Sequence, residues 1–228
     1  MKTKKYKVIG AGGIGSHVVE PLARYLSYTD YYCEVMIIDG DSFEERNRQR
    51  QRFGAVGINK AIATVDSLRD KFPKVHFRAK DAYLTGDNII SLIRENDIVF
   101  LGVDNHATRK LVSDRCCELE DVLLLSGGNG LTDGDVLIHF RKSGIDVTPP
   151  ITVTAPEIAQ PQDKNPGEFT QADRQGCQEA ALVNPQLLFM NLDIACTMLN
   201  CYYAYEQGKL DCKRVFLDIL TQARRAVR

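Results

Sequence analysis

The sequence predicts an α/β protein with an open, doubly wound, mostly parallel sheet, helices on both faces and an antiparallel C-terminal extension. Short apolar runs alternate with amphipathic segments over the first 125 residues, which is the pattern of repeated β–α–β units. A glycine-rich turn joins the first run to the first amphipathic segment. Right-handed crossovers would bring the loops after Ile9, Ile38 and Leu101 to one edge of the sheet, where such sheets bind ligands.

The individual elements follow from hydrophobic spacing. Apolar runs predict strands, and apolar residues at intervals of three and four predict helices. The predicted strands are 6–9, 34–39, 75–79, 97–102, 122–125 and 135–141, the last of them antiparallel, and the predicted helices are 14–26, 57–71, 85–95, 106–119 and 185–205.

The chain is predicted to be one domain, 1–228, with a long excursion at about 146–176. That stretch is rich in proline, glutamine, aspartate and asparagine and has little periodicity, so it predicts a partly mobile surface segment. The apolar residues at 187–199 predict a helix face that packs in the core or against a second copy of the chain.

Composition excludes several functional classes. Lys and Arg number 29 and Asp and Glu 30, so there is no broad basic field for nucleic acid. No apolar stretch is long enough to span a membrane, and the basic start lacks an apolar signal region, so we expect a cytoplasmic protein. The 7 cysteines include no C-x-x-C pair, and most are expected to be reduced, buried side chains.

The first loop has the form of a phosphate-binding turn. Gly10-Ala-Gly-Gly-Ile-Gly15 matches G-x-G-x-x-G between a predicted strand and a predicted helix. The glycines Gly10, Gly12, Gly13 and Gly15 allow a tight turn and close approach of a phosphate, and the helix N-terminus favours an anion. Asp39 ends the second strand, where a carboxylate accepts ribose hydroxyls. This Rossmann-like arrangement predicts nucleotide binding without separating NAD from ATP.

The second loop favours a triphosphate. Residues 46–52 contain four arginines and two glutamines, more cationic groups than the ribose of NAD requires. Guanidinium groups bind phosphate oxygens bidentately, which suits ATP. A solvated charged loop is the alternative for this stretch, and an NAD-dependent oxidoreductase is the alternative function; the third strand, however, has no evident base for a hydride-transfer site.

Taken together, the motifs resemble the adenylation domain of ThiF-, MoeB- and ubiquitin-activating-type enzymes. The resemblance rests on the glycine turn, Asp39-x-Asp41, Asn47-x-x-Arg50-Gln51, a lysine opening a helix, and Asp104-Asn105 followed by Arg109. It extends from about residue 7 to 204 and is blurred over 140–176. The short length and the Gly-Cys-Gln-Glu-Ala-Ala stretch at 176–181 are most similar to the ThiF-related branch found in the PRTRC cassettes of bacterial plasmids.

The resemblance implies an adenylyltransferase that uses ATP and Mg²⁺ to activate the C-terminal carboxylate of a small ubiquitin-fold protein, releasing pyrophosphate. It implies that Asp39 holds the ribose, Asn47 and Arg50 contact phosphates, Gln51 supports that loop and Lys60 neutralises phosphate charge. Asp104 would hold Mg²⁺; a cap for the helix at 106–119 is its alternative role. The implied catalytic residues are thus Arg50, Lys60, Asp104 and Cys177, and the implied nucleotide-binding residues are Gly10, Gly12, Gly13, Gly15, Asp39, Asp41, Asn47, Arg50, Gln51, Lys60 and Asn105.

Further expectations concern partners and departures from the family. Cys177 is a candidate thioester acceptor, with a buried structural cysteine as its alternative. No structural zinc is expected, because the two C-x-x-C pairs of many relatives are missing. Relatives are commonly homodimers, and those with an N-terminal helix send an arginine into the partner's site; here the first strand starts near Tyr6, so Arg46 or Arg48 would have to substitute. A non-catalytic nucleotide-binding subunit that partners another activating protein is therefore the alternative function.

Overall fold

The computed structural model describes residues 3–48, 51, 54–168 and 187–228. The described residues form one sheet in the order β3-β2-β1-β4-β5-β6-β8-β9, with β7 beside β6. Strands β1 to β5 are parallel neighbours, whereas β6 to β9 pair antiparallel. The strands are β1 (Thr3–Ile9), β2 (Tyr32–Ile38), β3 (Val75–Lys80), β4 (Asp97–Leu101), β5 (Val122–Asn129), β6 (Asp133–Lys142), β7 (Ile145–Asp146), β8 (Arg214–Asp218) and β9 (Ala223–Val227). The predicted fold class is confirmed.

Helices cover both faces of this sheet. They are α1 (Gly15–Leu26), α2 (Lys60–Arg69), α3 (Ile89–Leu92), α4 (His106–Cys117), α5 (Ile151–Thr154), α6 (Pro156–Ala159) and α7 (Leu188–Glu206), with single 3₁₀ turns at Glu45–Asn47 and Pro166–Glu168. Side chains alternate along each strand, so consecutive residues enter different cores. On β1, Val8 packs into the core with α1, α2 and α7, whereas Ile9 packs into the core with α3, α4, α5 and α6.

Helix α7 follows the predicted apolar stripe. Met190, Ile194 and Met198 are fully buried in the first core. Phe189 and Tyr203 lie on the opposite side of the helix and are more than half exposed. The stripe therefore serves the core, while part of the helix surface stays apolar.

Two segments differ from the sequence prediction. The helix predicted at 85–95 is only the single turn α3, because the Asn88 side chain accepts from the Thr85 backbone N–H and donates to the Tyr83 carbonyl, which holds the preceding residues in a turn. In the described part of the surface excursion predicted for 146–176, Ile151 and Ile158 are buried in the second core, and the predicted mobility stays a prediction. Residues 169–176 lie outside the described residues.

Within the described ranges, no helix has the length and apolar character needed to cross a bilayer.

Candidate functional site

Three strand ends meet at one edge of the sheet. Ile9 pairs with Ile38 on one side and with Leu101 on the other. The pairing continues one residue beyond the strands. The Gly10 N–H donates to the Ile38 carbonyl at 2.9 Å, and the Gly102 N–H donates to the Ile9 carbonyl at 2.9 Å. The predicted convergence of the loops after these strands is therefore confirmed.

The glycine turn is packed tightly at its two ends. Gly10 has a φ of +83°, and a Cβ there would lie 3.0 Å from the Gly102 carbonyl oxygen. A Cβ on Gly15 would lie 1.8 Å from the Gly10 carbonyl oxygen. Only glycine fits either position, since the obstructing atoms belong to the backbone.

The middle of the turn is open. Beside the position that a Cβ on Gly12 would take, the nearest atom is Nε2 of Gln51 at 3.8 Å. The Oε1 atom of Gln51 is buried and has no hydrogen-bond partner within the described part of the chain. Gln51 therefore lies over the turn with an unused amide oxygen, at the start of α1, where an anion is favoured.

Asp39 sits directly beyond β2 and is 8% exposed. Its Oδ2 accepts the Ala11 N–H at 2.6 Å and its Oδ1 accepts the Asp41 N–H at 2.8 Å. Burial raises the pKa of the Asp39 carboxyl to about 6, against the opposing effects of the Lys60 charge and the two backbone donors. Each carboxylate oxygen keeps a second lone pair, so Asp39 can still accept ribose hydroxyls.

Asp41 and Lys60 form an ion pair that faces solvent on one side. Lys60 Nζ lies 3.1 Å from Asp41 Oδ2, and the two side chains are 8% and 52% exposed respectively. The Lys60 backbone N–H also donates to the Asp41 carbonyl at 2.9 Å. Tyr83 donates its hydroxyl to the other carboxylate oxygen, Oδ1. The carboxylate therefore has a partner on each oxygen.

Asn59 joins this loop to the start of α2. Its Nδ2 lies within 2.8 Å of the Asp39 carbonyl, 3.1 Å of the Asp41 carbonyl and 2.8 Å of Asp81 Oδ1. Its Oδ1 accepts the Ile62 N–H at 3.1 Å and caps the helix. Asn59 therefore fixes where Lys60, the first helical residue, meets the end of β2.

The arginine-rich loop is described only in part. Asn47 is 5% exposed, and its Oδ1 accepts the Glu44 N–H at 2.9 Å, so its amide oxygen holds the 3₁₀ turn. The Gln51 N–H donates to the Asn47 carbonyl at 3.1 Å, which brings Gln51 back over the glycine turn. Arg50 lies outside the described residues, and its predicted contact with phosphate stays a prediction.

Asp104 follows β4 and is exposed, whereas the neighbouring Asn105 caps α4. Asn105 Oδ1 accepts the Thr108 N–H at 2.8 Å, so the alternative role for Asp104 as the helix cap is wrong. Among the described residues, no group of three or more histidine, cysteine, aspartate or glutamate side chains is arranged to hold a metal. A single carboxylate still suits Mg²⁺, which proteins commonly bind through one or two carboxylates together with substrate phosphates.

Arg109 is buried rather than on the surface of α4. Its guanidinium donates to the Val103 carbonyl, at 2.8 Å from Nη2, and to the Gly127 carbonyl at 3.0 Å. Gly128 has no room for a Cβ, which would lie 2.6 Å from the guanidinium nitrogens. Burial lowers the pKa of Arg109, and nearby carboxylates, Asp135 and Asp104 first among them, oppose this. Arg109 therefore ties the loop that carries Asp104 to the end of β5.

Asp163 comes from the proline-rich segment and reaches the first turn of α4. Its carboxylate accepts the His106 N–H at 2.7 Å and the Ala107 N–H at 2.8 Å. His106 takes part through its backbone, while its ring Nδ1 is buried and without a partner among the described residues. The contact holds the segment beside the loop that carries Asp104.

Cys177 lies outside the described residues, so its predicted thioester role stays a prediction. The six described cysteines are all free. Cys33, Cys116, Cys201 and Cys212 are buried, as expected of structural thiols, whereas Cys117 is partly exposed and Cys196 is exposed.

Three residues of this site were missed in the sequence analysis: Asn59, Tyr83 and Asp163. For Asn59 a local signal exists, because asparagine directly before a helix is a common N-cap. Tyr83 and Asp163 act on residues 42 and 57 positions away, respectively, and no local pattern predicts such contacts.

Comparison with known proteins relates the chain to the ThiF family. A model of the ThiF family matches residues 1–227. The adenylyltransferase and sulfurtransferase MOCS3 of Culex quinquefasciatus is 31% identical over 147 residues, which are 63% of this chain and 32% of MOCS3. The adenylyltransferase and sulfurtransferase UBA4 of Candida albicans is 26% identical over 210 residues, which are 90% of this chain and 43% of UBA4.

The fold has solved counterparts. MccB of E. coli, crystallised with ATP, superposes with a TM-score of 0.69 at 15% identity, over 98% of this chain and 63% of MccB. MccB has also been solved with MccA, with a TM-score of 0.68 at 15% identity over the same shares of both chains. At this identity the likeness shows a shared fold. The chain spans less than half of the curated relatives described above. Because the family model matches nearly every residue, the chain belongs to the ThiF family.

Proposed function

We propose that this protein activates a carboxylate by adenylation with ATP. A carboxylate oxygen attacks the α-phosphorus, a new P–O bond forms, and the bond from that phosphorus to the bridging oxygen breaks. Pyrophosphate leaves with the electron pair, and the acid remains as an acyl adenylate. Family membership supports the reaction class, and the names of the curated relatives state an adenylyltransferase activity for those proteins.

One observation carries the proposal for this chain. The open part of the glycine turn, Asp39 and the Asp41–Lys60 pair lie on loops whose strand ends are hydrogen-bonded neighbours. Such a group can hold a nucleoside by its ribose and a phosphate chain by backbone N–H groups and an ammonium. Lys60 neutralises phosphate charge as it accumulates on the leaving pyrophosphate.

Asp104 is the residue that would hold Mg²⁺. Its exposed carboxylate does not cap α4, and it follows the strand next to the glycine turn. When bound, the ion would stabilise negative charge on the phosphates. The chain's own part is to hold Asp104 in place through Arg109, which binds the Val103 carbonyl just before it.

The acid that we propose as substrate is the free C-terminus of a small ubiquitin-fold protein. This step rests on the resemblance of the site motifs, with Asn47 and Arg50 assigned to the phosphates. In a second step, the Cys177 thiolate would attack the acyl carbon, form a thioester and release AMP. The binding of MccA by MccB supports a polypeptide substrate for this fold.

The test is exchange of labelled pyrophosphate into ATP. We expect exchange that needs Mg²⁺ and a ubiquitin-fold protein with a free C-terminus from the same genome. Lys60→Ala and Asp104→Asn should each lower the exchange rate at least about a hundredfold, because each removes a charge that acts on the transition state. The matched control is Lys110→Ala, which removes a lysine on α4 whose partner is Asp114.

The proposal has two separate points of failure. Absence of Mg·ATP binding by calorimetry would refute the nucleotide site itself. Binding without exchange, with every ubiquitin-fold candidate of the genome, would refute the enzymatic activity and favour a nucleotide-binding subunit. Capture of the adenylated product, followed by mass spectrometry of its C-terminus, identifies the substrate.

A further inference from the structure

A tyrosine from the loop after β3 reaches into the proposed nucleotide site. Tyr83 donates its hydroxyl to Asp41 Oδ1, while Lys60 Nζ lies 3.1 Å from Asp41 Oδ2. We infer that Tyr83 is a positioning residue that holds the Asp41 carboxylate and, through it, sets the place of the Lys60 ammonium for a nucleotide phosphate. This inference rests on the proposed function, since the phosphate belongs to ATP.

Tyr83 is itself fixed by contacts to three other segments. Its ring covers Gly40, where an added Cβ would lie 2.6 Å from the ring atoms. Its carbonyl accepts from Asn88 Nδ2 at 2.9 Å. Gly167 also lies close, since an added Cβ there would be 3.2 Å from Tyr83 Cβ. The hydroxyl therefore has a defined position and is not a mobile surface group.

The Asp41 carboxylate needs such a partner because it is half exposed. Its side chain is 52% exposed, and an ion pair with one exposed member contributes little on its own, since both side chains lose freedom when they pair. A hydrogen bond to the second oxygen restricts rotation of the carboxylate. The pair with Lys60 is then preorganised before any nucleotide arrives.

The backbone of Asp41 is held by separate contacts. Its carbonyl accepts from the Lys60 N–H at 2.9 Å and from Asn59 Nδ2 at 3.1 Å. Loss of the Tyr83 hydroxyl therefore frees the carboxylate and leaves the main chain in place. The ring packing on Gly40 also survives in phenylalanine, so Tyr83→Phe isolates the hydroxyl.

The experiment measures nucleotide affinity with an α,β-methylene analogue of ATP and Mg²⁺ by isothermal titration calorimetry. We expect Tyr83→Phe to weaken binding about three- to tenfold, the range for loss of one hydrogen bond to a charged group that water partly replaces. Tyr28→Phe is the matched control, because Tyr28 is 85% exposed. Thermal unfolding should be nearly unchanged in both variants.

A double-mutant cycle tests the route through the carboxylate. In an Asp41→Ala background, Tyr83→Phe should have no further effect, because the carboxylate on which the hydroxyl acts is gone. An equal loss of affinity in both backgrounds would overturn the route through Asp41.

The rate of Lys60 acetylation, measured by mass spectrometry in the absence of nucleotide, gives an independent readout. It should be several-fold faster in Tyr83→Phe than in the wild type.

The outcomes separate this inference from the proposed function. A wild-type protein that does not bind the analogue would overturn both. A wild type that binds, beside a Tyr83→Phe variant with unchanged affinity and unchanged Lys60 acetylation, would overturn the role of Tyr83 alone.

Discussion

The buried carboxylate of Asp39 should make the protein less stable as the pH rises. Its folded-state pKa is about 6, raised by burial above the ordinary value of 3.8. The folded state therefore binds a proton more tightly than the unfolded state. The stability from this proton is complete below pH 3.8 and is lost as the pH rises through about 6. Between pH 5 and pH 8 the loss from Asp39 alone amounts to about 1.4 kcal/mol.

The Asp39→Asn variant isolates this contribution. Asparagine has one carbonyl oxygen, so one of the two N–H donors, from Ala11 or Asp41, loses its acceptor, and we expect a pH-independent loss of about 1–3 kcal/mol. The charge is gone, however, and the difference in unfolding free energy between pH 5 and pH 8 should shrink by about 1.4 kcal/mol. The test compares the change of unfolding free energy with pH in the two proteins. Burial also raises the pKa of Asp97 to about 6, but Asp97 is present in both proteins and its contribution cancels.

Urea unfolding at a series of pH values, followed by circular dichroism, measures both slopes. Asp218→Asn is the matched control: Asp218 also accepts two backbone N–H groups, but it is exposed, and those hydrogen bonds lower its pKa. Stability from Asp218 is lost only as the pH falls below its unfolded value of 3.8, so this variant should keep the wild-type slope between pH 5 and pH 8. Equal slopes for the wild type and Asp39→Asn would refute the reasoning.

Substitutions at three positions, Gly15, Arg109 and Asp163, test the packing around the site, each by urea unfolding. Gly15→Ala should lower the unfolding free energy by at least about 2 kcal/mol, because the added Cβ would collide with backbone atoms. Gly86→Ala is the control and should be neutral, because no atom lies within 4 Å of its added Cβ. Equal stabilities of the two variants would contradict the close approach at Gly15. Arg109→Met should lower the unfolding free energy by about 2–4 kcal/mol, because the Val103 and Gly127 carbonyls lose their donor. A neutral result would show that water replaces the guanidinium. Asp163→Ala should lower the unfolding free energy by about 1 kcal/mol, because the His106 and Ala107 N–H groups lose their acceptor, and Asp163→Asn should lower it less. Full stability in Asp163→Ala would mean that this contact does not stabilise the fold.

The sequence predicted the parts of the site that depend on local geometry. A strand, a glycine turn and a helix follow one another within 26 residues, and the strand ends that flank the turn follow from parallel topology. The crossover rule then brought Asp39 and Asp104 to the same edge without any contact information. Hydrophobic spacing was enough to predict these positions, because each of the strands and helices involved has a strong periodic pattern.

Contacts between distant segments could not be predicted in the same way. The burial of Arg109 is an example, because it depends on the carbonyls of Val103 and Gly127, which lie at the ends of two different strands. The four-residue helices α5 and α6 were missed because so short a segment has no period to detect. The phosphate contact assigned to Asn47 stays a prediction, and in the structure its amide oxygen holds the local turn.

The hydrogen bonds from α4 to Asp163 have a consequence for the order of folding. His106 and Asp163 are separated by 57 residues, so the first turn of α4 obtains these acceptors only after a long loop has closed. These two contacts therefore form only once the segment that carries Asp163 has docked, whereas the Asn105 cap of the same turn is local. Deuterium uptake at the His106 and Ala107 amides would report each detachment of residue 163, and thus detect partial opening of this edge while the strands remain paired.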